Sequence, residues 1–325
     1  MEEADWWLDH GHTEYVHVFL LLFIYTRALT TRIKQNRKCF TPSSGKDFTT
    51  PSYPLHYDLK RFVDCELRGK GCAAASDLSA GSLHYFLTGP DKFQSTSGAF
   101  PPPDTVEWRD LWIGQDEELN FEKPQHSNNA YVDFDVDPKA TTGLVSRWNL
   151  VQHLMKRPVT YEDMYTKDTR SVSLTFESLK LERPMRMIGS ALVEFQFEIL
   201  DDGYDATIFA YLEDVDSETG EVVYVTEGQV RASHHHVVEA DSVGSIDSVV
   251  RSYRREDLRK LGSGSSTLIS FSLEPIAYEF PKGHSVRLRF TGADAQNFYI
   301  ESIDGRSKSW RVYHDQTRIR LPVSE

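Results

Sequence analysis

The sequence predicts a mainly β protein: an antiparallel jelly-roll β-sandwich in the C-terminal half, preceded by a small α/β piece. Three observations predict it. From Ser171 onward, short runs rich in β-branched and aromatic residues recur with turn residues between them. Two of these runs alternate strictly. Val193, Phe195, Phe197 and Ile199 interleave with Leu192, Glu194, Gln196 and Glu198, and Val286, Leu288 and Phe290 interleave with Arg287 and Arg289. A period of two belongs to strands buried on one face. Finally, aromatics make up 12% of the 325 residues, and large rings suit packed, pleated surfaces.

In order, strands are expected at 171–176, 185–188, 191–200, 206–215, 222–232, 267–273, 277–280, 285–291 and 309–321. Turns fall at Asp201-Asp202-Gly203, Glu218-Thr219-Gly220-Glu221 and Pro281-Lys282-Gly283. The longest gap, 241–264, is polar and arginine-rich and reads as a surface loop. Many short strands without internal repeat argue for two facing sheets. Arg287 and Arg289 are expected to form surface ion pairs with a neighbouring strand.

Three regions are expected. Residues 1–55 are an atypical N-terminal segment closing in a Ser/Thr/Pro/Gly-rich linker. Residues 56–128 hold a helix at 58–67, stopped by Arg68-Gly69-Lys70-Gly71, a strand at 82–88 ended by Gly89-Pro90, and an irregular stretch at 97–104. Residues 129–325 are a connector followed by the sandwich.

The formal charge of −13 repels phosphate backbones, so nucleic acid is not an expected partner. Cys39, Cys65 and Cys72 cannot all pair and no two stand at CxxC spacing. They read as free thiols of a reducing, cytoplasmic setting, with a Cys65–Cys72 disulfide as the alternative. Val16 to Tyr25 is apolar but too short for a span of roughly 20 residues; it reads as a buried or partner-seeking helix, with a weak membrane anchor as the alternative. Acidic residues precede it, against a signal peptide.

Specific motifs add a family. ALVEFQFEILDDGYDATIFAYLEDVD at 191–216, TEGQVRASH at 226–234, PIAYEFPKGHSVRLRFTGAD at 275–294 and RIRLPV at 318–323 resemble the C-terminal domain of the X-Pro dipeptidyl-peptidase and cocaine-esterase (CocE/NonD) serine hydrolases. LKRFVDCELRG at 59–69 and LHYFLTG at 83–89 resemble the closing helix and last strand of that family's α/β-hydrolase core. The resemblance implies a galactose-binding-like jelly roll here, and dipeptidyl-peptidase or ester and amide hydrolysis in the family. It also implies a catalytic core before Asp58, where only the N-terminal segment stands, so the chain reads as truncated.

Hydrolysis on that core needs a serine in a G-x-S-x-G elbow, a histidine and an acid. No such elbow occurs: Ser44 lies in PSSGK, Ser82 in AGSLH and Ser263 in GSGSS. The family's Gly-Pro-Trp stretch is absent, and His10 and His12 around Gly11 are a faint echo of its histidine. No catalytic residue and no cofactor is therefore assigned. If 234–236 is a strand, His234 and His236 share a face and are weak metal candidates, with Glu239 or Asp241 as a third ligand. The carboxylates of 201–202 and 214–216 are weak calcium candidates. Trp108, Trp112, Trp148 and Trp310 are candidate ligand or interface aromatics. The expected role is a non-catalytic accessory sandwich whose partner is a hydrolase core or a second copy. A carbohydrate- or protein-binding jelly roll is the alternative, and a membrane-tethered interaction protein a third.

Overall fold

The computed structural model describes residues 39–40, 47–48, 60, 63–65, 68–70, 82–88, 92–97, 106–124, 130–144, 146, 148, 173–237, 249, 251–299 and 305–324. β1 (Cys39–Phe40) pairs with β2 (Asp47–Phe48), and β3 (Ser82–Leu87) forms a hairpin with β4 (Lys92–Ser97). The other thirteen strands share one hydrogen-bonded ladder. They are β5 (Val106–Ile113), β6 (Glu118–Asn120), β7 (Tyr131–Asp135), β8 (Leu174–Ser178), β9 (Met185–Gly189), β10 (Leu192–Ile199), β11 (Thr207–Asp216), β12 (Val222–Arg231), β13 (Ser266–Ser272), β14 (Ile276–Phe280), β15 (His284–Thr291), β16 (Ser309–Tyr313) and β17 (Arg318–Ser324).

The ladder is folded into two layers. One runs β12–β11–β15–β8. The other is built on β10, which pairs with β13 along one edge and with β17 and then β16 along the other. β5 extends this layer beyond β17, and β7 extends it beyond β16. A short parallel pairing of β6 with β8 joins the two layers. This is the two-layer sandwich that the alternation foretold. Val193, Phe195, Phe197 and Ile199 are all at most 1% exposed, and Phe195 meets Phe290 of the opposite layer with ring centroids 4.6 Å apart. Trp310 closes the core between Phe134, Phe195 and Phe197. Beside it the backbone passes so close at Gly292 that a β-carbon there would lie 2.5 Å from Val136. Only glycine fits that approach.

Four features differ from the sequence expectation. The single strand expected at 309–321 is two strands, β16 and β17, separated by a 3-10 turn at His314–Gln316. The turn lets β10 change partners, and the Thr317 hydroxyl accepts the Gln196 amide at 3.0 Å where neither strand reaches it. Second, β5 and β6, in the stretch assigned to the end of a hydrolase core, pair within the sandwich. Their charged and indole side chains hide the alternation.

Third, Arg289 is not a surface residue. It is 1% exposed and bonds Glu213, itself 0% exposed, through Nε at 2.7 Å and Nη2 at 3.2 Å, with Ser173 on Nη1 at 2.9 Å. The outward face of the β11–β15 layer is covered, for Phe209 packs on Phe298 and Phe298 on Trp148. Fourth, Cys65 is disulfide-bonded, against the expectation of free thiols. Its partner is one of the other two cysteines.

Residues 60, 63–65 and 68 are helical where a helix was expected. His10, His12, Val16 to Tyr25 and Ser44 lie outside the described residues.

Removing one partner of the buried ion pair strands a charge. Arg289→Met should cost about 3–5 kcal/mol in urea unfolding, while Arg289→Met with Glu213→Leu should recover most of that loss. Equal losses in the two variants would show that the pair is not coupled.

Candidate functional site

The aromatic candidates separate into two settings. Trp108 and Trp112 stand four residues apart on β5, so both point to the same side, away from the core residues Leu111 and Ile113. Register places Arg320 opposite Asp110 and Arg318 opposite Trp112. The Arg320 guanidinium lies 5.4 Å from the Trp108 ring, and Arg318 lies 4.6 Å from Trp112, which also carries the Lys123 ammonium at 4.8 Å. Asp110 accepts from both arginines, at 2.6 Å and 2.9 Å, and Arg318 reaches on to Glu194 of β10.

The same pattern recurs across the sheet. Arg311 lies 3.9 Å over Tyr131 and donates to both oxygens of Asp133, while the Tyr313 hydroxyl donates to Glu198 at 2.5 Å. The ladder satisfies its own charges, and its rings already hold cations.

Trp148 and Trp310 serve packing. Trp148 lies edge-on to Phe298 at 5.2 Å, and Trp310 is 1% exposed in the core, so neither is the open platform that a ligand-binding aromatic needs. Trp310 falls on the buried parity of β16, between the half-buried Ser309 and Arg311.

The histidines are also rearranged. Ala232–His234 is a 3-10 turn following β12, so strand alternation does not bring His234 and His236 together. His234 is buried with its ring 5.5 Å from Tyr253, and desolvation, with Arg231 next, lowers its pKa. His236 is exposed. Among the described residues no group of three or more His, Cys, Asp or Glu is placed to hold a metal; Glu239 and Asp241 lie outside them. Of the calcium candidates, Asp201 and Asp216 serve turns instead. Asp201 accepts the amides of Gly203 and Lys308, and Asp216 those of Glu218 and Thr219.

One buried polar convergence that involves a histidine is not suggested by sequence spacing. Asp214, 2% exposed, accepts the Tyr278 hydroxyl at 2.7 Å and the His284 Nδ1–H at 2.9 Å. It thereby ties β11 to β15 and, across the sandwich, to β14. An aspartate orienting an imidazole is half of a charge-relay arrangement. The neighbouring hydroxyls of Ser217 and Ser285 bond each other at 3.0 Å. The cluster bridges layers, and no strand-to-helix elbow stands among the described residues. Only its sequence partners were readable: Asp214 and His284 both sit in motifs that carried the family resemblance.

A family model for the X-Pro dipeptidyl-peptidase C-terminal non-catalytic domain matches residues 79–307. The chain belongs to that family. A Mycobacterium bovis protein and a Mycobacterium tuberculosis protein, each named as a presumed serine esterase, are 31% identical to it over 283 residues. That match covers 86% of this chain and 42% of each relative, so the chain spans less than half of their length. Among solved structures, a Staphylococcus aureus CocE/NonD family hydrolase is similar with a TM-score of 0.58 and 16% identity, covering 83% of this chain and 45% of that one. An aminopeptidase from a marine sediment Thaumarchaeota archaeon gives 0.62 at 15% identity, over 89% and 47%. An α-amino acid ester hydrolase gives 0.52 at 19% identity, over 74% and 40%. These likenesses extend the family's fold to this chain. No helix among the described residues is long and apolar enough to cross a membrane.

Asp214 supplies a pH test. Desolvation raises its pKa despite the Tyr278 and His284 hydrogen bonds. A carboxyl whose folded pKa lies above its unfolded value stabilises less once it ionises. Relative to Asp214→Asn, the wild-type protein should therefore lose stability as pH rises from the ordinary carboxylate range through the raised pKa. Thermal melts of both proteins should converge toward acid pH; a constant difference would assign Asp214 an unshifted carboxyl.

Proposed function

We propose that this chain is the accessory β-sandwich of a serine hydrolase of esterase or dipeptidyl-peptidase type, bracing a hydrolase core rather than carrying the nucleophile. The supporting observation is the joint at Thr88. The β3–β4 hairpin includes LHYFLTG, the stretch that resembles the core's last strand. It runs into the sandwich at β14: the Thr88 amide donates to Ala277 O at 2.9 Å, the Thr88 hydroxyl donates to the same oxygen at 2.7 Å, and the Glu279 amide donates to Thr88 O at 3.0 Å. Leu87, Ile188 and Ala277 bury a small apolar cluster at the seam. The non-catalytic domain model begins at residue 79, so this hairpin, tied to β14 by backbone hydrogen bonds, lies at the start of the matched domain, where a preceding hydrolase core would join it.

Chemistry argues the same way. Without a nucleophile and its base, binding and polarisation alone retain a small part of a triad's acceleration. The mycobacterial relatives favour ester substrates for the assembled enzyme. The carbohydrate-binding alternative has less support, since Trp108 and Trp112 are capped by cations and Trp310 is in the core.

The test uses p-nitrophenyl acyl esters, Xaa-Pro p-nitroanilides and a fluorophosphonate label on the protein as it stands. The expected result is no turnover above buffer and no label. Turnover that the fluorophosphonate abolishes would overturn the accessory reading.

A further inference from the structure

The arginine-rich loop after β12 is held in place more firmly than its polar composition suggests. Arg251 is 8% exposed and pins the loop's root, donating from Nε to His234 O at 2.6 Å and from Nη2 to Ser270 O. The far end is pinned where the Arg259 amide donates to Ser233 O at 2.8 Å and the Leu261 amide to Tyr204 O at 2.9 Å. Between the pins, Ser252 donates to Asp257, and Arg255–Asp257 form a 3-10 turn.

The pinned loop presents cations to solvent. Between 252 and 260 three arginines (Arg254, Arg255 and Arg259) and Lys260 are exposed beside two acids, in a chain whose net charge is −13. One of those acids, Asp257, accepts the Ser252 hydroxyl and is half-buried, while the arginines are exposed. The other, Glu256, meets Arg254 at 3.5 Å with both side chains more than 70% exposed, a contact worth little. Among the described residues no carboxylate pairs with Arg255, Arg259 or Lys260; Arg259 donates to two carbonyls and Lys260 lies over the Tyr204 ring at 3.8 Å.

An independent observation marks the same place. Tyr253 has φ of +51°, a conformation that bulky side chains rarely adopt, and yet it is 58% exposed. Strained backbone positions cluster at ligand clamps and switch regions.

We infer that residues Tyr253, Arg254, Arg255 and Arg259 form a docking surface for an acidic polypeptide segment. Planar guanidinium groups match carboxylates in bidentate geometry, and a solvent-facing tyrosine adds apolar contact beside them. The surrounding negative field argues against a continuous polyanion such as nucleic acid. A short run of glutamates or aspartates can engage the patch without facing the rest of the surface. The surface is independent of the Thr88 joint, so its failure would leave the accessory reading untouched.

The experiment is fluorescence anisotropy of a labelled octaglutamate peptide with the full chain at low and high salt. Binding should be present at low salt and weakened by high salt. Arg254→Glu with Arg255→Glu should weaken it by about tenfold or more. Lys180→Glu with Lys282→Glu makes the same change in net charge at exposed sites toward the other end of β11, and should leave affinity within about twofold. Equal losses in both double variants, no binding at low salt, or tighter binding of a single-stranded DNA octamer than of octaglutamate would each overturn the proposal.

Discussion

The contact of Phe195 with Phe290 is the interaction on which the remaining structure depends. It joins β10 to β15 across the interior and fixes which parity of each strand faces inward. A shift of one residue in either strand would send Glu194 or Arg289 into the interior in place of a phenyl ring. Once the parity is set, the outer faces follow. On β10 it places Glu194 and Glu198 outside, where they meet Arg318 and Tyr313. On β15 it places Arg287 and Arg289 against Glu177 and Glu213.

Those two outer faces have different fates. The face built from Trp108, Asp110, Trp112 and Tyr131 stays at the surface and balances guanidinium groups between rings and carboxylates. The other carries Phe298 and Trp148 over Phe209, and on it Arg289 and Glu213 are buried together. Desolvation is costly for each charge alone and tolerable for the bidentate pair with its serine. Alike in sequence, the two arginine-bearing strands therefore differ in energetics because of what packs above them.

The sequence disclosed the parts of the fold whose signal is local. Alternation identified β10 and β15, and turn residues bounded β11 and β12 to within a residue or so. β5 was harder, since Trp108, Arg109, Asp110 and Trp112 mix charge and aromatics on a strand buried on one face only. The break at His314–Gln316 has no glycine or proline to announce it and depends on β10 needing two partners. Of the site residues, Trp310 was misjudged because an indole suits a core and a platform equally. The Asp214–Tyr278–His284 cluster was missed because its members are distant in sequence, and Tyr253 because backbone strain leaves no mark on residue type.

The placement of β17 carries a consequence for biosynthesis. This last strand lies between β5 and β10 and contacts β9, so three earlier strands share it as a neighbour. Arg318 of β17 donates to Asp110 of β5, and the two are 208 positions apart. At about 5–20 residues per second of translation, β5 waits roughly 10–40 s for its partner to be made. During that interval the nascent chain exposes unsatisfied strand edges, the kind of surface that recruits holding chaperones or aggregates.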